Sequence, residues 1–143
     1  MNIRLAAFDL DGTILYSDGA VSEEAKARIR EAAAAGVEMV PCTGRTLSEI
    51  PDEILCLPGI RFAIVANGAS IIDLTDNREI YRRLIAPDVG VELLRFFAEK
   101  GTSFIAYSEG TAFCDERVMP SSSARDRSVG SRFPALRPCV SIN

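Results

Sequence analysis

The sequence predicts an α/β fold, in which a doubly wound parallel sheet is followed by the start of a smaller α+β unit. Short apolar runs alternate with helix-forming segments in the first half of the chain, as in parallel sheets joined by crossover helices. After residue 69 this alternation gives way to hairpin patterns on either side of a helix. The chain has 143 residues, 48% of them hydrophobic and 25% charged, which is an ordinary globular composition.

The first strand and helix have clear sequence signals. The nearly continuous apolar run of residues 2–8 predicts a strand buried on both faces. Ser22 is the predicted N-cap of the helix that follows, because acidic residues and then strong helix formers come after it. The alanine-rich part of this helix covers residues 25–35, and Gly36 is its predicted C-terminal stop.

The remaining elements follow from apolar runs, turn residues and helical periodicity. Residues 46–57 predict a helix that Pro51 interrupts or restarts. The other predicted elements are strands at 37–41 and 61–66, a hairpin of 70–73 with 79–84, a helix at 87–100, and a hairpin of 102–107 with 111–114.

These patterns predict three regions. Residues 1–80 form the N-terminal part of the α/β core, residues 81–119 a partial α+β cap, and residues 120–143 an irregular or disordered basic tail. The charge changes with the last region: residues 1–116 carry 19 acidic and 11 basic side chains, whereas residues 117–143 carry 1 acidic and 5 basic.

Composition excludes several classes of function. A net charge of -4 and a pI near 4.9 argue against nucleic acid as a partner. The chain has no histidine, so catalysis would depend on carboxylates, hydroxyls, backbone amides or a metal. Four dispersed cysteines without a CxxC pair indicate reduced thiols. No signal peptide or membrane span is recognisable, and we expect a cytoplasmic protein with no membrane partner.

The stretch FDLDGT places two carboxylates, Asp9 and Asp11, directly after the first predicted strand. Ligands of open parallel sheets bind outside the carboxyl ends of the strands, and the stretches TGR and NGA follow the next two strands. Two carboxylates this close favour a cation such as Mg²⁺, or a pair in which one attacks and the other moves a proton. The alternative is a simple Asp-Gly turn without chemistry.

The motifs FDLDGT, PCTGR and VANGA, in this order, resemble the haloacid dehalogenase-like phosphohydrolases, and among them the Cof-type sugar-phosphate phosphatases with a class IIB cap. The resemblance covers residues 3–116. It implies a Rossmann-like core, a Mg²⁺ cofactor and a small phosphorylated metabolite as substrate, hydrolysed through an aspartyl-phosphate.

The resemblance also implies roles for particular residues. Asp9 would be the nucleophile and a metal ligand, and Asp11 the general acid and base, whose backbone carbonyl also touches the metal. The phosphoryl group would be bound by residues of the first and second strand ends, with the second set at a helix N-terminus: Leu10, Thr43, Gly44 and Arg45. Thr13 would orient the first turn. Arg45 has bracing of the helix as its alternative role.

Asn67 is predicted to shape the turn into the cap, with a substrate contact as the alternative. The family's lysine after the cap and its later acidic motif have no counterpart, because Lys26 and Lys100 are the only lysines. The resemblance therefore implies a truncated core. It leaves open a non-catalytic member that binds phosphate or a partner, and a second chain that completes the core.

Overall fold

The computed structural model describes residues 3–16, 19–109, 111–115 and 136–138. The chain divides into two compact units, Met1–Arg83 and Leu84–Asn143, which are described separately below. No helix within the described ranges is both long enough and apolar enough to cross a membrane.

The first unit alternates strands and helices and then ends in a hairpin. Its elements are β1 (Leu5–Phe8), α1 (Glu23–Ala34), β2 (Glu38–Pro41), a 3₁₀ turn (Leu47–Glu49), α2 (Asp52–Leu55), β3 (Phe62–Val65), a second 3₁₀ turn (Ala66–Gly68), β4 (Ser70–Asp73) and β5 (Arg78–Arg82).

The sheet of this unit is parallel at one side and antiparallel at the other. β1 and β2 run parallel, with Leu5 opposite Glu38. A parallel bridge between Cys42 and Ile64 connects β2 to β3. β4 and β5 then extend the sheet from β3 as antiparallel strands. This arrangement confirms the predicted α/β class with an incomplete Rossmann-like core.

The first helix has the predicted caps. The Ser22 hydroxyl accepts a hydrogen bond of 3.0 Å from the Ala25 amide, and Gly36 has the left-handed φ of 80° that ends many helices. Lys26 of α1 forms an ion pair of 2.6 Å with Glu53 of α2, so the two helices are adjacent. Side chains of both helices, among them Ile29 and Ile54, share the buried core with β2 and β3.

The prediction that β1 is buried on both faces is wrong. Leu5 is 57% exposed, and Ile3 just before the strand is equally open. β1 pairs with β2 along one edge, and no described residue pairs with its other edge in a ladder. An apolar run indicates what a strand is suited to, whereas its burial also depends on the neighbours that cover it.

The helix predicted over residues 46–57 is interrupted at Pro51, as expected, but both of its parts are shorter than the prediction. The structure has a 3₁₀ turn at Leu47–Glu49 and the short α2, separated by Ile50 and Pro51 in extended conformations. A residue before proline is disfavoured in the α-region, and proline has no amide to donate, so the helix ends before Pro51 and restarts after it.

The second unit consists of one helix and a three-stranded antiparallel sheet. Its elements are α3 (Pro87–Glu99), β6 (Ile105–Ser108), β7 (Thr111–Asp115) and β8 (Leu136–Pro138), with the strand order β6-β7-β8. The ring of Phe97 lies 5.7 Å from that of Phe96 and 6.0 Å from that of Phe104. The contact between Phe97 and Phe104 connects the end of α3 to the segment that leads into β6.

β8 corrects the expectation that residues 120–143 contain no regular structure. Its three residues pair with β7, Leu136 opposite Asp115 and Pro138 opposite Phe113. A strand of three residues is too short to show a period-2 pattern, and a proline usually argues against a strand. The sequence therefore gave no signal for β8, which is recognised only by its pairing with β7. The rest of the predicted tail, and Cys139 within it, lies outside the described residues. The described cysteines are all free thiols.

An ion pair joins the beginning of β3 to the end of β4. The carboxylate of Asp73, which is 2% exposed, accepts a hydrogen bond of 2.9 Å from Arg61, and bonds from the amide and hydroxyl of Thr75. The hydrogen bond from the Arg61 guanidinium is the main reason that the pKa of this carboxyl lies far below its usual range, and the hydrogen bond from the Thr75 hydroxyl is the next.

We expect Asp73→Asn to lower the urea midpoint of unfolding at pH 7, because it removes the charge from a buried acceptor of several hydrogen bonds. The folded-state pKa is depressed, so this stability is complete above the ordinary aspartate pKa of about 4 and is lost as the pH falls towards the folded value. The difference from the wild type should therefore narrow below about pH 4. Asp76→Asn, which removes an exposed pair with Arg78, is the control. Equal losses in both variants would contradict the role of Asp73.

Candidate active site

The carboxyl ends of β1, β2 and β3 adjoin one another. The Cys42 amide, directly after β2, donates a hydrogen bond of 2.8 Å to the Phe8 carbonyl at the end of β1. The next amide, that of Thr43, donates one of 3.0 Å to the Ile64 carbonyl in β3. The segments FDLDGT, TGR and NGA therefore meet at one edge of the sheet, as their spacing along the strands predicts.

The turn after β1 is built around Leu10. Its side chain is fully buried, and its carbonyl accepts hydrogen bonds of 2.8 to 3.2 Å from the amides of residues 13, 14 and 15. Gly12 adopts the left-handed φ of 74° that the turn requires. Because Leu10 points into the core, Asp9 and Asp11 on either side of it remain exposed. The turn thus presents two carboxylates outward from a rigid backbone.

The loop after β2 is held by its first residue. Thr43 is 4% exposed, and its hydroxyl accepts a hydrogen bond of 3.2 Å from the Arg45 amide. The Gly44 amide has no hydrogen-bond acceptor among the described residues. The expectation that this loop begins a helix is wrong, because only the 3₁₀ turn Leu47–Glu49 follows. A single turn contributes little dipole, so any anion would be bound by local amides and by the Arg45 charge.

The Arg45 side chain forms an ion pair with Asp11. Its Nε and Nη2 donate hydrogen bonds of 3.0 and 2.8 Å to the two carboxylate oxygens of Asp11, while Nη1 donates one of 2.7 Å to the Glu49 carbonyl. The hydrogen-bonded guanidinium lowers the pKa of the Asp11 carboxyl, and Asp11 raises that of Arg45. Burial opposes both shifts. The Glu49 contact ties Arg45 to the 3₁₀ turn that follows the loop.

The sequence-based interpretation missed the Arg45–Asp11 pair, although a signal for it was present. The two residues follow neighbouring parallel strands and carry opposite charges, so a pair across the strand ends was predictable once β1 was placed beside β2. Thr13 contributes its amide to the Leu10 turn and is exposed. The structure thus brings all the predicted site residues to one edge, with Arg45 turned towards the carboxylate.

Two oxygen atoms at this edge are open to a metal ion such as Mg²⁺. The described part of the chain contains no cluster of three or more His, Cys, Asp or Glu side chains suited to a metal. Mg²⁺, however, is usually held by one or two protein oxygens together with water and phosphate. The Asp9 carboxylate is exposed with no recorded partner in the described ranges, and the Asp11 carbonyl accepts no backbone hydrogen bond there. Those two oxygens could serve as ligands.

The lysine of the first unit, Lys26, is engaged in ion pairs with two glutamates. Lys26 bonds to Glu23 at 2.9 Å and to Glu53 at 2.6 Å on the helical face of the first unit. Lys100 belongs to the second unit, where its ammonium lies 5.8 Å from the centre of the Phe96 ring. Among the described residues of the first unit, Arg45 is the cation that forms an ion pair with Asp11.

Comparisons with known proteins agree with this architecture. A family profile described as haloacid dehalogenase-like hydrolase matches residues 6–134. The 5-amino-6-(5-phospho-D-ribitylamino)uracil phosphatase YcsE of Bacillus subtilis is 39% identical over 88 residues, which are 62% of this chain and 35% of that protein. The chain thus spans about a third of the length of this relative.

Solved structures give the same result. A haloacid dehalogenase-like hydrolase from B. subtilis superposes with a TM-score of 0.67 at 30% identity, over 77% of this chain and 38% of the other. The subclass IIB sugar phosphatase BT4131 superposes with a TM-score of 0.59 at 26% identity, over 76% of this chain and 42% of the other.

We expect Arg45→Met to raise the pKa of the Asp11 carboxyl towards the ordinary aspartate value of about 3.9, because it removes the guanidinium that stabilises the ionised form. The measurement is a pH titration of the side-chain carboxyl carbon by NMR. Arg28→Met, which removes an exposed ion pair with Glu31 on α1, should leave the pKa of Asp11 unchanged. An unshifted Asp11 in Arg45→Met would show that the pair does not persist in solution.

Proposed function

The chain belongs to the haloacid dehalogenase-like hydrolase family, and from this membership we propose that its site hydrolyses phosphate monoesters of small metabolites with Mg²⁺ as cofactor. The observation that carries the proposal is the meeting of the Asp9–Asp11 turn with the Thr43–Arg45 loop across two parallel strands. This edge combines carboxylates for attack and proton transfer with donors for the phosphoryl oxygens.

In the first step of the proposed reaction, a carboxylate oxygen of Asp9 attacks phosphorus. The bond from phosphorus to the ester oxygen breaks, and the protonated Asp11 gives its proton to the departing oxygen. The products of this step are the free alcohol and an acyl phosphate on Asp9. The exposure of the Asp9 carboxylate supports its role as the attacking group.

In the second step, Asp11 acts as a base. Its carboxylate takes a proton from water, whose oxygen attacks phosphorus and displaces the Asp9 carboxylate, releasing orthophosphate. The ion pair with Arg45 favours ionised Asp11 and so suits this step rather than the first. The first step therefore requires Arg45 to leave Asp11, and a phosphate group is a partner that matches the guanidinium fork.

The Gly44 amide, the Thr43 hydroxyl and Arg45 are the proposed donors to the phosphoryl oxygens, with the backbone around Leu10. When bound, Mg²⁺ supplies positive charge that neutralises the phosphoryl oxygens. Asp9 and the Asp11 carbonyl are the residues that would hold it. The proposed substrates are sugar phosphates and related phosphorylated metabolites, because one relative is named for a phosphorylated ribityl compound and another as a sugar phosphatase.

A second candidate function is binding of phosphate, or of a partner chain, without turnover. It is favoured by the ion pairs that Lys26 forms with Glu23 and Glu53. It is also favoured by the absence, among the described residues, of a group of three or more His, Cys, Asp or Glu side chains that could hold a metal. In this alternative, a second chain that completes the core would supply the missing lysine and carboxylates.

Turnover of p-nitrophenyl phosphate with Mg²⁺ distinguishes the two functions. We expect Asp9→Asn to reduce turnover by at least about 10³-fold, because an amide cannot act as the attacking oxygen. Asp52→Asn, at the exposed start of α2, is the control and should retain wild-type turnover. Equal activity of the wild type and Asp9→Asn would refute the assignment of Asp9. A wild-type chain with no turnover but with saturable binding of orthophosphate would favour the second function.

A further inference from the structure

The turn after β3 has an unusual backbone. Ala66 and Asn67 have left-handed φ values of 49° and 55°, and Gly68 follows with 87°. Alanine rarely adopts this region, while asparagine and glycine tolerate it. Such conformations persist only where the surrounding structure fixes them. The contacts of this turn show what fixes it.

The turn holds the loop after β2 on both sides of Gly44. The Asn67 amide donates a hydrogen bond of 3.1 Å to the Thr43 carbonyl, and the Ala66 amide donates one of 2.8 Å to the Arg45 carbonyl. The residues before and after Gly44 are therefore both tied to the same turn. Gly44 itself does not have a left-handed φ, so its backbone conformation does not require glycine.

The Asn67 side chain lies directly beside Gly44. A methyl group on Gly44 would lie 2.9 Å from Oδ1 of Asn67 and 3.4 Å from its Nδ2, closer than a side-chain carbon normally approaches. The side-chain amide of Asn67, unlike its backbone amide, forms no hydrogen bond with the described residues, and the residue is exposed. The side chain therefore packs against the Gly44 backbone, and no hydrogen bond to another described residue holds it away from Gly44.

We propose that Asn67 is a positioning residue of the phosphoryl-binding loop, and that its side chain fixes the orientation of the Gly44 peptide whose amide has no acceptor in the described protein. The bond to the Thr43 carbonyl holds one end of the peptide that carries the Gly44 amide, and the Asn67 side chain lies beside the Gly44 Cα at its other end, where it restricts rotation of this peptide. The identity of the ligand in this inference rests on the proposed function. The contact between Asn67 and Gly44 is independent of that function.

The contact is tested first, without ligand, by a double-mutant cycle on thermal unfolding of the full chain. Gly44→Ala should lower the midpoint in the wild-type background, because the added methyl meets Asn67. In the Asn67→Gly background the same change should cost little, since glycine keeps the left-handed turn and removes the obstructing side chain. Equal effects of Gly44→Ala in both backgrounds would overturn the proposal.

The positioning role is tested by NMR on the Gly44 amide. Asn67→Gly should shift its resonance and speed its hydrogen exchange, and should weaken binding of inorganic phosphate by about tenfold or more, the effect of losing one well-placed bond to a charged group. Asn67→Asp keeps the shape of the side chain and adds a negative charge, so it should leave exchange at Gly44 nearly unchanged while weakening phosphate binding.

Asn77 provides the matched control. It has a left-handed φ of 54°, close to that of Asn67, but lies in the turn between β4 and β5. Asn77→Gly should leave both the Gly44 amide and phosphate binding unchanged. If Asn67→Gly likewise alters neither, Asn67 is only a turn residue and the proposal fails. If the wild type binds no phosphate while the Gly44 amide still responds to Asn67→Gly, the proposed function fails and the positioning role remains.

Discussion

The candidate site depends on the two backbone hydrogen bonds that join the ends of three strands. The amide of Cys42 reaches the end of β1, and that of Thr43 reaches β3. Consecutive amides of an extended segment point to opposite sides, so a single dipeptide can fasten β2 to both neighbours. If the register of β2 shifted by one residue, each of these amides would point to the opposite neighbouring strand. The loop after β2 would then be separated from the Asp9–Asp11 turn. The chemistry of the edge is thus fixed by strand register.

Within this frame, Arg45 connects the two loops electrostatically. Its side chain spans from the Asp11 carboxylate to the Glu49 carbonyl, and so joins the turn after β1 to the 3₁₀ turn after β2. Both partners are partly exposed, and pairs of this kind contribute little to stability. The contact therefore acts mainly through geometry and charge, because it favours the ionised form of Asp11. In the proposed reaction it also keeps the guanidinium beside the phosphate-binding loop. A small stabilisation is compatible with release of Arg45 on substrate binding.

Much of the first unit was predictable because local signals and tertiary structure agree there. Ser22 caps α1 and Gly36 ends it, and the strands begin and end within a few residues of the apolar runs. The errors occurred where tertiary contacts decide. Leu5 is exposed because nothing described covers it, and β8 exists because β7 pairs with it. The roles proposed for the site residues came from the family resemblance that the motifs carry, whereas the Arg45–Asp11 pair required knowledge of which strands are neighbours.

The turn at residues 66–68 shows why a motif can be recognised before its purpose is understood. In the sequence, Asn67-Gly68 is an ordinary turn signal, and both residues suit the left-handed region. The preceding Ala66 has no such preference, so its left-handed backbone must be imposed by contacts. Those contacts are the bonds to Thr43 and Arg45, on either side of Gly44. The strain at Ala66 is therefore offset by the attachment of this turn to the loop after β2, and the turn is a support of the site as well as a connection between strands.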